Sequence, residues 1–173
     1  MMDTFLVEPT QEYKREYLEM IAEWRNTKEK MVPFVLRSDP TDYETFLMEM
    51  EDLKTGRNLT HLKVKSSTFW LVRSDRTVLG AVNVRHELSQ RLLEVGGHIG
   101  YGIRPSERKK GYASRILALG LEEARKLGIR RVLVTCDKEN TGSAKTIMKN
   151  GGVLESEADL DGIPIERYWI ELD

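Results

Sequence analysis

Apolar residues recur every three or four positions in several stretches of the chain, which is the pattern of helices with one buried face. The clearest stripe covers 113–127 and is followed by Gly128. Comparable stripes cover 13–24 and 43–53, and a shorter one covers 143–150. The pattern therefore predicts about four helices.

Short runs of β-branched and aromatic residues between these stripes predict strands. The runs 68–73 and 78–86 flank a Ser-Asp-Arg turn and predict a hairpin. The run 95–103 should end before Pro105, because proline has no N–H to donate to a sheet. The other expected strands are 4–7, 131–137, 153–157 and 165–172.

The order of these elements predicts an α/β fold, with a central mixed sheet of about seven strands and helices on its faces. Neither a linker nor a repeat interrupts the pattern, so residues 1–173 are expected to form a single domain. The helix between the strands 95–103 and 131–137 acts as a crossover. These two strands are therefore expected to pair in parallel.

The composition is that of an ordinary globular protein, with 40% hydrophobic and 32% charged residues. A formal net charge of −1 argues against general nucleic-acid binding. The single cysteine, Cys136, cannot form an intramolecular disulfide, which suits a reducing compartment. The start of the chain has neither a basic leader nor a long apolar run, so we expect a cytoplasmic protein that does not enter a membrane.

A basic turn, Arg-Lys-Lys-Gly-Tyr-Ala at 108–113, joins a predicted strand to a predicted helix. A helix N-terminus offers unpaired N–H groups and a positive dipole end, and both favour phosphate. Gly111 lets the backbone approach a phosphate closely, and Arg108, Lys109 and Lys110 add positive charge. The alternative is a solvated basic loop with a glycine turn. An ordinary nucleotide hydrolase is disfavoured, because the chain has no Gly-x-x-x-x-Gly-Lys-Ser/Thr.

Arg108-x-x-Gly111-x-Ala113 resembles the Gln/Arg-x-x-Gly-x-Gly/Ala signature of the GNAT superfamily of N-acetyltransferases. The preceding Ile-Arg-Pro at 103–105 is similar to the apolar-x-Pro strand end of that family, and Asn140 with the helix 143–150 matches its next block in placement. The stretches GGHIGYGIRPSER and KNGGVLE are similar to those of a bacterial subgroup of predicted acetyltransferases.

The resemblance implies acetyl-coenzyme A as the cofactor, no metal, and a sheet that splays between its fourth and fifth strands to admit the thioester. It also implies that the fourth strand pairs with the pantetheine arm, that N–H groups of the turn hold the pyrophosphate, and that Asn140 contacts the arm. The implied cofactor-binding residues are Tyr101, Gly102, Ile103, Arg108, Lys109, Lys110, Gly111, Tyr112, Ala113, Ser114 and Asn140.

Acetyl transfer to an amine requires the amine to lose a proton, and His98 is the candidate base. It precedes the cofactor-binding backbone and alternates with Gly100 and Gly102, so its face of the strand is expected to be open. Its ordinary pKa near 6.5 suits base chemistry. The alternative is a structural histidine hydrogen-bonded inside the sheet. The tetrahedral oxyanion needs a hydrogen-bond donor, and the resemblance implies a backbone N–H near 101–103.

The departing thiolate needs a proton, and many family members supply it from a tyrosine in the helix after the asparagine. This chain has Ile147 at the matching position. Tyr101 is the candidate substitute; Tyr112, Tyr168, Cys136 and solvent are the alternatives.

Substrate recognition is expected to involve Asn83, Arg85 and His86 at the end of the third strand. Arg85 suits a carboxylate or phosphate, with a surface ion pair as the alternative. The acidic residues within 155–161 fit either attraction of a cationic amine or a solvated charged face.

The sequence thus predicts an acetyl-coenzyme A-dependent N-acetyltransferase that acts on the primary amine of a small molecule, an amino acid or a peptide. The alternative is a non-catalytic acyl-coenzyme A sensor or interaction module. Neither nucleic acid nor membrane is expected as a partner, and the protein is expected to be a monomer or a homodimer.

Overall fold

The computed structural model describes residues 2–60 and 63–173. The predicted helices and strands occur in the predicted order, with one additional short helix. They are β1 (Thr4–Val7), α1 (Lys14–Asn26), α2 (Tyr43–Thr55), β2 (Ser66–Arg73), β3 (Val78–Arg85), α3 (Gln90–Glu94), β4 (Ile99–Ile103), α4 (Tyr112–Lys126), β5 (Arg131–Asp137), α5 (Thr141–Lys149), β6 (Val153–Leu160) and β7 (Ile163–Glu171). Short 3₁₀ turns cover Gln11–Tyr13, Phe34–Arg37 and Pro105–Glu107.

The strand predicted at 95–103 is shorter than expected. Gly96 and Gly97 have φ values of +107° and +65°, which an extended strand does not adopt, so β4 begins only at Ile99. The short helix α3 lies just before them, where no helix was predicted, and the Ser89 hydroxyl caps it by accepting a hydrogen bond from Leu92 N–H.

The seven strands form two antiparallel sheets within one mixed α/β fold. The first sheet has the order β1-β2-β3-β4, and the second has the order β5-β7-β6. The prediction that the fourth and fifth strands pair in parallel is wrong, because β4 and β5 belong to different sheets. They approach each other at one end only, where Gly97 bridges Val134. The splay implied by the family resemblance is confirmed.

The helices divide the core into two parts. Helices α1 and α2 cover one face of the first sheet, where Tyr17 stacks on Trp70 with ring centroids 4.2 Å apart. Helix α4 covers the opposite face, and its Ile116 and Leu117 are fully buried among side chains from both sheets. Helix α4 packs mainly against β3 and β4. Its first turn lies beside β4 and the end of β5, where the two sheets diverge.

His98 joins the two sheets at the base of the splay. Its backbone N–H donates to the Leu133 carbonyl at 2.8 Å, and its Nδ1 accepts from the Leu133 N–H at 2.9 Å. The side chain is only 7% exposed. Burial and the nearby Arg85 guanidinium lower the pKa of His98 to about 4. The ring is therefore a neutral structural acceptor that fixes the point from which β4 and β5 separate.

This joint predicts a pH-dependent stability. An unfolded chain protonates His98 near pH 6.5, whereas the folded chain does so near pH 4. The contribution of neutral His98 to the free energy of unfolding is complete above pH 6.5. It falls by up to about 3 kcal/mol as the pH falls towards 4. His98→Asn keeps a side-chain acceptor but cannot titrate. Urea unfolding between pH 7 and 4.5 should show a steeper loss in the wild type than in this variant, and identical pH dependence in both would refute the role of the joint.

Candidate active site

A cleft of about 780 Å³ opens where the two sheets diverge. Its walls are β4, the end of β5, the first turn of α4 and one side of α5. The segment between α1 and α2 closes one end through Trp24, Glu29, Lys30 and Val32. These are the elements in which the sequence placed the cofactor site.

Strand β4 presents an unpaired backbone edge to this cleft. Hydrogen bonds from Arg104 N–H to Leu79 and from Arg85 N–H to the His98 carbonyl define which residues of the strand face β3. Because hydrogen-bonding direction alternates along an antiparallel strand, the amides of Tyr101 and Ile103 point away from β3. Part of this edge is used internally, since the Ile103 carbonyl accepts from Arg108 Nε at 3.1 Å.

The backbone of Gly102, by the same alternation, pairs with β3 and not with the cleft. Its role is steric. A Cβ at Gly102 would lie 2.2 Å from the Val32 carbonyl oxygen, and one at Gly100 would lie 3.4 Å from Pro33. The expectation that the glycine face of this strand is open is therefore wrong, because the Val32–Pro33 segment packs directly on it.

The turn before α4 exposes the start of the helix. Gly111 is the N-cap residue with φ +87°, and it supplies no side-chain cap. The first hydrogen bond of the helix runs from Arg115 N–H to the Gly111 carbonyl, so the N–H groups of Tyr112, Ala113 and Ser114 have no helical partners. A Cβ at Gly111 would meet no protein atom within 4 Å. The helix N-terminus is thus uncapped and open to the cleft.

Ion pairs on both sides hold this turn in place. Arg108 pairs with Glu29 at 2.8 Å, and the hydrogen bond from Arg108 lowers the pKa of that carboxyl. Glu107 pairs with Arg73 at 3.1 Å and with Lys110 at 3.0 Å. Two of the three basic side chains predicted to add charge to the site are therefore already paired with carboxylates.

Two further residues of the turn follow different patterns. Within the described residues, no carboxylate lies within ion-pair distance of Lys109, which has φ +62° and lines the cleft. Tyr112 is buried, and its hydroxyl lies 3.3 Å from Arg73. Tyr112 therefore contributes its backbone N–H to the turn, while its ring packs in the core.

Two hydroxyl groups and a thiol line the cleft on β4, α5 and β5. The Tyr101 hydroxyl lies 2.9 Å from the Ser143 hydroxyl, so that β4 and α5 are bridged across the cleft. Cys136 also lines the cleft. Burial raises the pKa of Tyr101 to about 12 despite the Ser143 hydrogen bond, and burial raises the pKa of the Cys136 thiol to about 11. The Tyr101 hydroxyl and the Cys136 thiol are therefore protonated at neutral pH.

Asn140 caps α5. Its Oδ1 accepts from the Ser143 N–H at 3.0 Å, so the amide nitrogen is the end that stays available to the cleft. Ile147, at the position of the tyrosine in many family members, is on the fully buried face of α5 and offers no proton.

The predicted substrate-binding residues do not line the cleft. Asn83 is fully buried and donates to Ser66 and Thr68. Arg85 donates to the carbonyls of Gly96 and Gly97.

His86 is hydrogen-bonded to Ser67 at 2.8 Å, and neither it nor His98 is among the residues that line the cleft. The structure thus gives these four polar residues internal partners at the far end of β3 and at the joint between the sheets.

One side of α5 carries residues that the sequence did not single out. Ser143, Lys145, Thr146 and Lys149 all line the cleft. Their spacing is a helical face, but that face is recognisable only once the fold shows what lies opposite it.

The acidic residues of the last hairpin are partly engaged elsewhere. Glu155 accepts from the Trp169 indole, and Glu157 pairs with Lys138 at 3.0 Å. Among the helices of 2–60 and 63–173, none combines the length and the apolar character needed to cross a bilayer.

Several solved structures share the fold over nearly the whole chain. The microcin C7 self-immunity acetyltransferase MccE, solved with acetyl-CoA and AMP, is 19% identical, with a TM-score of 0.70 over 98% of this chain and 93% of that one. The ribosomal L7/L12 alpha-N-protein acetyltransferase RimL, solved with coenzyme A, is 14% identical, with a TM-score of 0.72 over 98% and 94%. A chimera of the spermidine N-acetyltransferase SpeG from Vibrio cholerae is 14% identical, with a TM-score of 0.64 over 97% and 95%.

These structures share the fold, while no curated protein matches the sequence. The acetyltransferase (GNAT) domain family matches residues 6–153. The chain therefore belongs to the GNAT family of acetyltransferases, enzymes whose acetyl donor is acetyl-coenzyme A.

Proposed function

We propose that this protein transfers the acetyl group of acetyl-coenzyme A to the primary amine of a small molecule, an amino acid or a peptide. One observation carries the proposal. The free edge of β4 and the uncapped N-terminus of α4 lie in the same cleft. The first suits an extended arm with amide groups, and the second suits a pyrophosphate. The similar folds of MccE and RimL, solved with acetyl-CoA and coenzyme A, support this assignment.

The residues of the cleft fit the cofactor. The amides of Tyr101 and Ile103 are available to pair with the pantetheine arm, as an added strand does. The N–H groups of Tyr112, Ala113 and Ser114 are available to the pyrophosphate, and Lys109 adds a positive charge beside them. When bound, acetyl-coenzyme A supplies an activated thioester carbonyl, and the chain must position it and manage the protons.

A backbone N–H on the open edge of β4 is the proposed donor to the oxyanion. The Ile103 carbonyl is held by Arg108, and strand pairing to β3 fixes the plane of the edge amides. Such donors are preorganised, because they need no rearrangement when charge develops.

Tyr101 and Ser143 form the proposed proton source for the departing thiolate. Both hydroxyls are protonated at neutral pH, and they are hydrogen-bonded to each other on the wall of the cleft. In this proposal the pair supplies the proton that a tyrosine at position 147 supplies in many family members. It also favours an enzyme over a non-catalytic sensor, since a sensor needs no proton donor there.

The base role predicted for His98 is not part of this proposal. Its Nδ1 is already an acceptor for the Leu133 N–H, and its low pKa makes the ring a weak base. We propose that the amine reaches the cleft in its neutral form, with its proton released to water. The proposed acceptor substrates are therefore small-molecule or peptide amines.

Gly111→Val tests the placement of the pyrophosphate. A Cβ there meets no atom of the described residues within 4 Å, and Gly111 lines the cleft, so a side chain would occupy the space that we assign to the phosphates. We expect coenzyme A affinity, measured by calorimetry, to fall by about 100-fold or more. Gly128→Val is the matched control, because Gly128 has φ +83°, also has no neighbour within 4 Å, and lies beyond the other end of α4. Both variants should lose about 1–3 kcal/mol of stability, and only the first should lose the cofactor. Normal binding by Gly111→Val would show that the pyrophosphate lies elsewhere.

Turnover with a panel of amines, followed by the release of free thiol, tests the reaction itself. The panel comprises polyamines, amino acids and peptide N-termini. With an accepted amine, Tyr101→Phe and Ser143→Ala should each lower kcat about tenfold, near the low end for general acids because a thiolate leaves readily. The double variant should be little worse than either single one, because the two groups share one path. If the protein binds coenzyme A tightly but acetylates none of these amines, the proposed N-acetyltransferase activity is contradicted and a non-catalytic acyl-coenzyme A sensor is favoured.

A further inference from the structure

Two lysines on α5 remain without a role in the proposed reaction. Lys145 and Lys149 are one helical turn apart, and both line the cleft. The opposite side of α5 is apolar, with Ala144 and Ile147 buried in the core. The helix therefore directs its two cleft-facing lysines outwards along one side of the rim.

These lysines lie close to the turn 108–113, where we propose that the pyrophosphate binds. Asn150, which follows α5, donates from Nδ2 to the Ser114 hydroxyl at 3.2 Å and to the Ser114 carbonyl at 3.3 Å. Ser114 is in the first turn of α4, so this contact ties the end of α5 to the proposed pyrophosphate site. Lys149 is the neighbour of Asn150 in the chain. The two helices thus place Lys145 and Lys149 beside the uncapped N-terminus.

Among residues 2–60 and 63–173, the charges of Lys145 and Lys149 have no carboxylate partner. Arg108 and Lys110, on the same turn, are paired with Glu29 and Glu107. By contrast, no carboxylate in the described part of the chain lies within ion-pair distance of Lys145 or Lys149. Two adjacent like charges without a counter-charge are unfavourable on a helix unless an anion joins them.

The pyrophosphate does not account for them. It is served by three backbone N–H groups, the helix dipole and Lys109. Coenzyme A carries one further anionic group, the phosphate on its ribose 3′ position, and this group lies on the adenosine side of the pyrophosphate. We propose that Lys145 and Lys149 bind this 3′-phosphate, so that the protein selects coenzyme A over cofactors that lack it. The inference rests on the proposed cofactor site.

The test compares acetyl-coenzyme A with acetyl-dephospho-coenzyme A, which lacks only the 3′-phosphate, by calorimetric binding to the purified full chain. The wild type should bind the first about tenfold more tightly. Lys145→Gln combined with Lys149→Gln should bring the ratio of the two dissociation constants close to one. Each single substitution should account for about threefold. Added salt should reduce the preference of the wild type.

Lys54→Gln combined with Lys126→Gln is the matched control. It removes the same charge from exposed lysines on α2 and at the far end of α4, and the preference should persist.

A double variant at Lys145 and Lys149 that weakens both ligands equally would overturn the inference, since the lysines would then serve the pyrophosphate. An unchanged ratio, or a wild type without preference, would also overturn it and leave the proposed function standing. A wild type that binds neither ligand would overturn the proposed function itself.

Discussion

The site depends on one constraint, which is that β4 and β5 meet at one end and then separate. The two hydrogen bonds between His98 and Leu133 fix the meeting point, and the left-handed backbone at Gly96 and Gly97 turns the chain away from it. Beyond this point β4 has no strand partner on one side among the described residues, and the amides of Tyr101 and Ile103 on that side are left without a strand partner. An unpaired strand edge is ordinarily a liability, and here α4 and α5 flank it so that an extended molecule can pair with it.

The basic side chains around the turn 108–113 fall into two groups. Some are paired with carboxylates of the protein, and others remain available to a ligand. Arg104 pairs with Glu23 at 3.2 Å, which anchors the turn to α1, while Arg108 and Lys110 pair with carboxylates nearby. These pairs position the backbone without leaving charge for a ligand. Lys109, Lys145 and Lys149 have no such partners among the described residues, and all three line the cleft. A chain with a formal net charge of −1 thus offers a locally cationic site.

The sequence predicted most of the fold and the elements that line one side of the cleft, because both depend on local patterns. The apolar stripe of α4 and the glycine before it define a helix N-terminus wherever they occur. The parts of the cleft formed by β5 and α5 could not be predicted from local patterns. A crossover helix does not reveal whether the strands that it joins stay paired, so the splay was implied only by the family resemblance. Likewise, the open face expected around His98 required knowing that Val32 and Pro33 pack on Gly102 and Gly100, and the roles of Ser143 and Lys149 follow from what α5 faces.

The central claim is that coenzyme A pairs with the free edge of β4 and the uncapped start of α4. Residue-resolved amide hydrogen exchange, measured with and without coenzyme A, tests it most directly. The ligand should slow exchange at Tyr101, Ile103 and the amides of Tyr112 to Ser114, because these N–H groups have no partner in the strand pairing or the helix. The amides of Gly100 and Gly102, already bonded to β3, should change little. Bound coenzyme A that leaves Tyr101, Ile103 and the first turn of α4 unprotected would contradict the account.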